Sequence, residues 1–378
     1  MNFMTWRMQM TKALKINKNS EQGVLEVLKF LLEKGKVKGV FTLKKIGKDG
    51  AVAYSLITKS DELKDAVPFY PLMPVNAGKL LSRFTLRGST TDPVIAVVRP
   101  CELRAFIELV KREQGSLENI FFISSTCGGV YPLKMAADKK IEENLSKYWD
   151  AVSKGEILTD LRSACKGCEE FIPYTSDMTV DLIAKNDIDK QCVILLNNEK
   201  AEKLVEDIKG EFLARELDKG KLDKFCGKRE AEKKKLFNEI EAKMKGLDGF
   251  IDIFGKCIGC HGCSKVCPIC YCKLCEFESP DSEYKPSNYE TDLEKRGGLR
   301  VPPGITYFQI GRLDHVTISC VGCGACEDVC PVDIPLSSIY KKVGESVQKL
   351  FDYVPGKDVE EEIPLLTFEK EELSEFED

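Results

Sequence analysis

Two cysteine-rich segments in the last third of the chain have the same spacing. In each, four cysteines are separated by two, two and three residues, and a proline follows. The cysteines are Cys257, Cys260, Cys263 and Cys267 in the first segment and Cys320, Cys323, Cys326 and Cys330 in the second. Three thiolates spaced two residues apart on a tight loop can bind three corners of an iron–sulfur cube. Where two such segments occur together, the fourth cysteine of each binds the other cluster.

This spacing predicts two [4Fe–4S] clusters that exchange their fourth ligands. One cluster would be bound by Cys257, Cys260, Cys263 and Cys330, and the other by Cys267, Cys320, Cys323 and Cys326. A pair of structural zinc sites is the alternative, because four thiolates also suit a tetrahedral ion. Zinc ribbons pair two Cys-x-x-Cys knuckles and have no use for the additional cysteines, so we favour clusters. We therefore expect a ferredoxin-like α+β domain with two clusters over residues 251–345.

The composition supports redox chemistry over histidine-based catalysis. The chain has 17 Cys and 2 His, and both histidines, His261 and His315, lie within or just before a cysteine segment. No apolar stretch reaches the roughly 18 to 20 residues needed to cross a bilayer, and residues 1–20 do not resemble a secretory signal. We expect a cytoplasmic protein without a membrane span. In a reducing compartment its cysteines would be ligands and not disulfides.

Negative charge is concentrated at the end of the chain. Residues 357–378 hold ten acidic residues against Lys357 and Lys370, so this stretch carries a charge of −8 and the rest of the chain +3 of the net −5. The rest of the chain is nearly neutral and lacks the concentrated positive charge that binds nucleic acid. We expect residues 346–378 to form a solvated acidic tail. The alternative is a docking strand, because apolar residues are interleaved with the acids; they are Ile363, Leu365, Leu366, Phe368, Leu373 and Phe376.

The first two thirds of the chain alternate between strand and helix patterns. A helix is predicted from Ser20 to about Gly35, and a hairpin from residues 40–43 and 51–57. Buried-type strands follow at 94–98, 120–124 and 192–196, interleaved with helices at 103–112 and 201–208. We therefore expect an α/β domain over residues 21–250 after a leader of residues 1–20. The Lys- and Glu-rich stretch 221–245 predicts a solvated helix that links the domains.

Four further cysteines lie within the α/β domain. Cys101 and Cys127 each follow a strand, and Cys165 and Cys168 form a Cys-x-x-Cys knuckle. Loops at one edge of a sheet share a face, so these thiols could converge on a third cluster. The alternative is one redox pair with two core thiols. The chain has neither a phosphate-binding Gly-x-x-x-x-Gly-Lys-Ser/Thr loop nor a Rossmann Gly-x-Gly-x-x-Gly motif.

The remaining cysteines are less informative. Cys270, Cys272 and Cys275 follow closely on Cys267, and they either bind a further cluster or metal, with Cys226 as a distant fourth ligand, or are unligated thiols. Cys192 lies in an apolar strand and is expected to pack in the core.

The order of these motifs resembles the flavin-containing beta subunits of deazaflavin-reducing hydrogenases and formate dehydrogenases. The resemblance covers residues 21–356 and rests on Val98–Phe106, Cys127-Gly128-Gly129, the knuckle at Cys165, the two cysteine segments and Asp352–Gly356. It is closest to the formate dehydrogenase subunit, because the hydrogenase subunit lacks the two-cluster domain.

This resemblance implies an α/β core that binds FAD and one [4Fe–4S] cluster, held by Cys101, Cys127, Cys165 and Cys168. Asn76 and Lys79 fall near the region where the resemblance places the flavin site, so they are its candidate contacts. The implied partners are a catalytic formate dehydrogenase or hydrogenase subunit, a soluble two-electron carrier such as the deazaflavin coenzyme, and a heterodisulfide-reductase-type flavoprotein. The FAD would convert single electrons into a hydride.

A second resemblance is to the electron-transfer subunit of anaerobic sulfite reductases. It implies a different function, in which the chain is a flavin-free iron–sulfur relay to a separate catalytic subunit. The presence or absence of bound flavin separates the two hypotheses.

Overall fold

The computed structural model describes residues 10–47, 51–279, 284–298 and 304–366. It contains a sheet domain, a smaller helical domain that carries the two cysteine segments, and a long helix that contacts both. The strands of the described residues are β1 Thr11–Ile16, β2 Gly39–Ile46, β3 Ala51–Ile57, β4 Val94–Val97, β5 Ile120–Ser125, β6 Met178–Val180, β7 Cys192–Leu196 and β8 Glu211–Arg215.

These strands form one eight-stranded sheet within the described residues. Its order is β3-β2-β4-β5-β6-β7-β1-β8. The central strands β2, β4, β5 and β6 are parallel, whereas β3, β7, β1 and β8 are each antiparallel to their neighbours. The parallel centre is buried on both faces, as its unbroken apolar runs predict. Because β4, β5 and β6 point the same way, the loops that follow them lie at one edge.

Helices pack on this sheet. They are α1 Ser20–Glu33, α2 Ala77–Thr85, α3 Pro100–Lys111, α4 Leu133–Ala137, α5 Ile141–Lys154, α6 Ser163–Lys166 and α7 Glu199–Val205. The side chain of Asn19 caps α1 by accepting a hydrogen bond from the Gln22 amide, and Asn198 caps α7 in the same way through Ala201. The predicted first helix and hairpin and the strands at 94–98, 120–124 and 192–196 agree with these elements to within a few residues.

The sheet domain begins earlier than the sequence suggested. Strand β1 lies within the stretch expected to be a leader, and it pairs with both β7 and β8. Ala13 and Leu14 are fully buried. The first residues of the leader, 1–9, lie outside the described residues.

The long helix α8, Lys219–Lys243, joins the two domains. Its Phe225 packs in the core of the sheet domain, and its Ile240 packs in the core of the smaller domain. The helix is therefore a link, as predicted, but it is not merely a solvated one. Its Arg229 is 1% exposed and reaches the four cysteines of the sheet domain.

The smaller domain is built from helices and loops around the cysteine segments. Its helices are α9 Gly246–Phe254, α10 Gly262–Val266, α11 Pro286–Arg296, α12 Ile305–Val316, α13 Ala325–Asp328 and α14 Leu336–Leu350. An α+β domain was expected, but the described residues of this domain contain no strand. Its core includes Phe254, Phe308, Ile339 and Tyr340.

The described part of the predicted acidic tail is ordered against the sheet domain. Residues 346–350 complete α14, and the chain then crosses α3. There the Pro355 carbonyl accepts a hydrogen bond from Arg104 Nε at 2.7 Å, and the Gly356 amide donates to the buried Glu108 at 2.7 Å. Ile363 is buried beside Ile318 and Tyr353. Leu365 and Leu366 are exposed, whereas Phe368, Leu373 and Phe376 of the predicted docking strand lie outside the described residues.

Buried polar contacts also join the two domains. Arg162 forms an ion pair with Asp328, and Ser163 donates a hydrogen bond to Glu327. Lys233 of α8 pairs with Glu169 in the sheet domain and with Glu345 on α14. Within the described residues, no helix has the length and apolar character required to cross a membrane.

Candidate metal centres

Twelve of the cysteines line three cavities, and one of them, Cys323, lines two. Site 1 is lined by Cys257, Cys260, Cys263 and Cys330; site 2 by Cys267, Cys320, Cys323 and Cys326; and site 3 by Cys101, Cys127, Cys165 and Cys168. The structure thus brings together the same groups of four that the exchanged pairing and the family resemblance imply. That these thiols bind clusters stays a prediction.

Tight turns shape the loops of sites 1 and 2. Gly259 and Gly322, each placed before the second cysteine of its segment, have φ of 64° and 66°, and Gly324 has φ of 75°. His261, at the position that corresponds to Gly324, adopts the same left-handed region with φ of 54°. These turns allow three cysteines within seven residues to line one cavity.

Site 3 is formed by the topology of the sheet. Cys101 lies on α3 just after β4, and Cys127 follows β5, so the two parallel strands deliver both thiols to one edge. Cys165 lies on the short helix α6 and Cys168 just beyond it. The Arg162 amide donates to the Val130 carbonyl, which holds α6 beside the loop after Cys127.

The three sites form a row. Cys323 and Gly322 line the cavities of both site 2 and site 3, so these two sites are neighbours. Sites 1 and 2 are connected by Arg312, which lines the cavity of site 2 while its Nη2 donates to the Cys263 carbonyl at 3.4 Å. Site 1 lies at the outer end of the row, where Cys260 is exposed.

Burial governs the protonation of these thiols. It raises the pKa of Cys101, Cys168, Cys320 and Cys326 above that of a free thiol, and that of Cys323 to about 12. Burial also raises the pKa of Cys127 to about 11, against the opposing charges of Arg99 and Arg229. Thiolates are the ligand form, and a bound metal keeps a coordinating thiol deprotonated.

The donors around sites 2 and 3 fit an anionic group. Arg312 Nε and Nη1 and Arg229 Nε are buried, and none of them has a hydrogen-bond partner among the described residues. Both side chains line cysteine cavities. A cluster held by four thiolates is an anion, so the chemistry of these donors matches a [4Fe–4S] group. In the part of the chain that the structure describes, no group of three or more His, Cys, Asp or Glu side chains is placed to bind one metal ion. The spacing of the thiols is compatible with a cluster, because each cysteine of a cluster binds a different iron.

Asn76 and Lys79 have partners within the protein. Asn76 is the N-cap of α2, where its Oδ1 accepts from the Gly78 amide at 2.9 Å. The Lys79 ammonium donates to three carbonyls of the smaller domain, those of Lys265 at 2.6 Å, Cys267 at 2.8 Å and Cys270 at 3.3 Å. The Nδ2 of Asn76 is buried and has no hydrogen-bond partner among the described residues. Lys79 fastens the loop that carries Cys267 to the sheet domain. That the two residues contact a flavin stays a prediction.

The remaining cysteines are separated in space. Cys226 lies on α8 and packs on the core of the sheet domain, whereas Cys270 packs on the core of the smaller domain. The structure therefore does not bring Cys226 to the group at 270–275. The Cys270 thiol hydrogen bonds to Cys267 and lowers the pKa of that ligand. Cys192 is fully buried in β7 against Gly23, as a core residue would be.

Comparisons with known proteins identify the family. A family model described as a 4Fe-4S dicluster domain matches residues 253–334. The chain is 29% identical over 368 residues to the F420-dependent formate dehydrogenase subunit beta of Methanocaldococcus jannaschii. It is 30% identical over 371 residues to the F420-dependent formate dehydrogenase 1 subunit beta of Methanococcus maripaludis. Each alignment covers 89% of this chain and 91% of the relative.

The chain belongs to the F420-dependent formate dehydrogenase beta-subunit family. The resemblance to the formate dehydrogenase subunit is therefore confirmed, as is an α/β fold joined to a dicluster domain. This beta subunit also aligns with a chain of the F420-reducing [NiFe] hydrogenase complex from Methanosarcina barkeri. That alignment has a TM-score of 0.45 and 13% identity, and it covers 66% of the beta subunit and 97% of the hydrogenase chain.

Three features of the site were missed by sequence reasoning. They are the buried Arg229 and Arg312 and the anchoring role of Lys79. A signal for the arginines exists, because each interrupts an apolar helical face: Arg229 follows Leu222 and Phe225, and Arg312 lies between Phe308 and Val316.

Proposed function

We propose that this beta subunit carries single electrons through three [4Fe–4S] clusters, one in each of sites 1, 2 and 3. The observation that carries the proposal is the row of three four-cysteine cavities, in which sites 2 and 3 share Cys323 and Gly322. The exposed Cys260 makes site 1 the end from which a partner's redox centre could exchange electrons. Site 3, inside the sheet domain, is the opposite end.

The chemistry at the two ends follows from the family. We propose that a separate catalytic subunit oxidises formate and passes its electrons to site 1. We propose further that electrons leaving site 3 reduce the deazaflavin coenzyme F420. A bound FAD would supply the conversion between single electrons and a hydride. Its support is the family membership, and Asn76, whose Nδ2 is buried without a partner among the described residues, and Lys79 stay its predicted contacts.

The protein's own residues serve this relay by burying the sites and fixing their positions. The Arg162 guanidinium donates to the Cys323 carbonyl at 3.0 Å, and Arg229 donates to the carbonyls of Cys127 and Cys168 at 3.0 and 3.1 Å. Because the two domains are tied by such contacts, sites 2 and 3 keep their separation. A heterodisulfide-reductase-type flavoprotein as an additional partner stays a prediction from the first resemblance.

Cofactor content tests this proposal. The complex would be purified without oxygen, and iron, acid-labile sulfide and released flavin would be measured per beta subunit. About twelve irons and about one FAD, with formate-dependent reduction of F420, are expected. About eight irons without flavin would instead support the flavin-free relay and leave site 3 as unligated thiols.

A further inference from the structure

Five arginines are buried near the cysteine sites, and one of them, Arg104, donates to the Pro355 carbonyl at the C-terminal segment. The other four line a cysteine cavity or donate to a cysteine carbonyl, and they divide into two kinds. Arg99 and Arg162 each have a carboxylate partner, Glu102 and Asp328. Arg229 and Arg312 have none in the part of the chain that the structure describes. Both are nearly inaccessible, at 1% and 3% exposure.

Aromatic rings and carbonyls surround the two unpaired guanidinium groups. Arg229 lies over the rings of Phe225 and Phe171, with distances of 4.5 and 5.2 Å to the centroids. Arg312 lies over those of Tyr340 and Phe308, at 5.0 and 5.7 Å. Rings and carbonyl dipoles favour a cation, but they do not neutralise its charge.

A buried charge without a counter-charge is strongly destabilising. The arginine side chain does not lose its proton at any ordinary pH, so neutralisation must come from an anion. The groups left to supply that anion are in the adjoining cavities. Arg312 lines site 2, whose lining has no carboxylate among the described residues, and it reaches site 1 through the Cys263 carbonyl. Arg229 lines site 3, where the carboxylate of Glu170 forms no ion pair with it and accepts a hydrogen bond from Tyr174.

We propose that Arg229 and Arg312 are the built-in counter-ions of the clusters and set their reduction potentials. This inference rests on the proposed function, because it requires clusters in these sites. A cluster gains one negative charge on reduction, and a cation fixed close by in a medium of low dielectric constant stabilises that form more than the oxidised one. Each arginine therefore raises the potential of the cluster that it adjoins.

The positions of the two residues make their effects separable. Arg229 acts on site 3, whereas Arg312 lies between sites 1 and 2. Removing the charge of Arg229 lowers the potential of site 3 relative to site 2, so electron transfer from site 2 into the sheet domain becomes less favourable. Removing the charge of Arg312 leaves site 3 unchanged and lowers the potentials of the pair.

The test is a redox titration of the purified complex, followed by electron paramagnetic resonance. In R229Q, the equilibrium constant for reduction of the site 3 cluster should fall at least tenfold, which is 59 mV for one electron. R312Q should lower the potentials of both the site 1 and the site 2 clusters and leave that of site 3 unchanged. The conservative variants R229K and R312K keep the charge and should restore most of the potential, which a purely structural role would not do.

A control comes from an exposed cation on the same helix as Arg229. The variant K235M removes a positive charge from a side chain that is 67% exposed, where water and salt screen it, so no shift of that size is expected. Iron content is measured in every sample. Wild-type protein with only eight irons per chain would refute site 3 and therefore the proposed function. Full iron with unshifted potentials in both Gln variants would refute the counter-ion role alone.

Loss of iron in a Gln variant is also decisive. If R312Q loses its cluster, R312K and the uncharged R312M are compared. Retention of iron by R312K with loss in R312M shows that the charge is required and supports the proposal. Loss in R312K with retention in R312M would show that shape matters and charge does not, which overturns it.

Discussion

The two copies of the cysteine motif share their spacing but face different surroundings. In the first copy Cys260 is exposed, and Ile258 beside it is 53% exposed. In the second copy Cys323 lines sites 2 and 3 together, and its carbonyl accepts a hydrogen bond from Arg162 of the sheet domain. The same local motif thus forms the open end of the row in one place and the domain interface in the other.

The residue after the second cysteine shows this difference most clearly. His261 in the first copy stacks on Phe308 with 4.3 Å between ring centroids, and its Nδ1 lies 3.0 Å from Glu278. Gly324 in the second copy lies so close to the sheet domain that a Cβ would stand 2.6 Å from Ala164 and 2.7 Å from Arg162. A side chain is accommodated where the motif faces solvent and excluded where it faces the other domain.

The largest expected difference comes from removing equivalent ligands. In both C260A and C323A the iron content should fall by up to about four atoms, since each variant loses one ligand of one cluster. C323A should also alter the paramagnetic signal of site 3 and reduce formate-dependent F420 reduction to background, because Cys323 borders both cavities. C260A should leave the site 3 signal unchanged.

The sheet domain should stay folded in both variants, since the two domains have separate cores. Circular dichroism of the purified variants checks this. Unchanged iron and unchanged transfer in C323A would contradict the assignment of site 2.

The next largest effect is expected at the corresponding loop positions. G324A places a Cβ on a left-handed backbone and against the sheet domain, at a cost of about 2 to 4 kcal/mol. At position 261 the native loop already accommodates a Cβ. H261A therefore loses mainly the stacking on Phe308, which should lower the free energy of unfolding by about 1 kcal/mol. Chemical denaturation of the cluster-loaded protein measures both. Equal costs would mean that the second copy is not held against the sheet domain as the structure shows.

Lys79 offers a smaller and independent test of the interface. Its ammonium donates to three carbonyls around Cys267, so K79M leaves these acceptors without their donor and should cost about 1 to 3 kcal/mol. R83M, at an exposed position of the same helix, should change stability by less than about 0.5 kcal/mol.

Flavin content of the same variants separates the two roles considered for Lys79. If Lys79 acts at the domain interface, K79M should lose the site 2 cluster faster than the wild type and retain FAD. If Lys79 contacts the flavin, K79M should lose FAD while its clusters stay stable.

Local spacing predicted more of this molecule than long-range topology did. Sites 1 and 2 follow from two short segments, so their ligand groups could be predicted from the sequence. Site 3 depends on the neighbouring order of β4 and β5, which spacing alone does not determine, and the family resemblance was needed to choose its ligands. Strand β1 was missed because its partners, β7 and β8, are distant in sequence.

The contacts of the C-terminal segment and the lack of a carboxylate partner for Arg229 could not be predicted for the same reason. Composition identified acidic residues after position 356, but the buried Glu108 and Arg104 that hold Pro355 and Gly356 lie on α3, far along the chain. Arg229 lies in a stretch rich in Lys and Glu, where one more charged residue is not conspicuous. Its isolation from carboxylates is a property of the folded chain.

The smallest expected effect lies on the other face of α8. Gly227 is exposed in the helix interior, and a Cβ there would meet no atom within 4 Å. G227A should therefore stabilise the protein by about 0.5 to 1 kcal/mol through helix propensity, without changing the iron content or any reduction potential. Chemical denaturation and redox titration check the two parts. Because Gly227 is only two residues from Arg229, a shifted potential in G227A would show that site 3 responds to any change in α8, and the shift in R229Q could then no longer be attributed to charge.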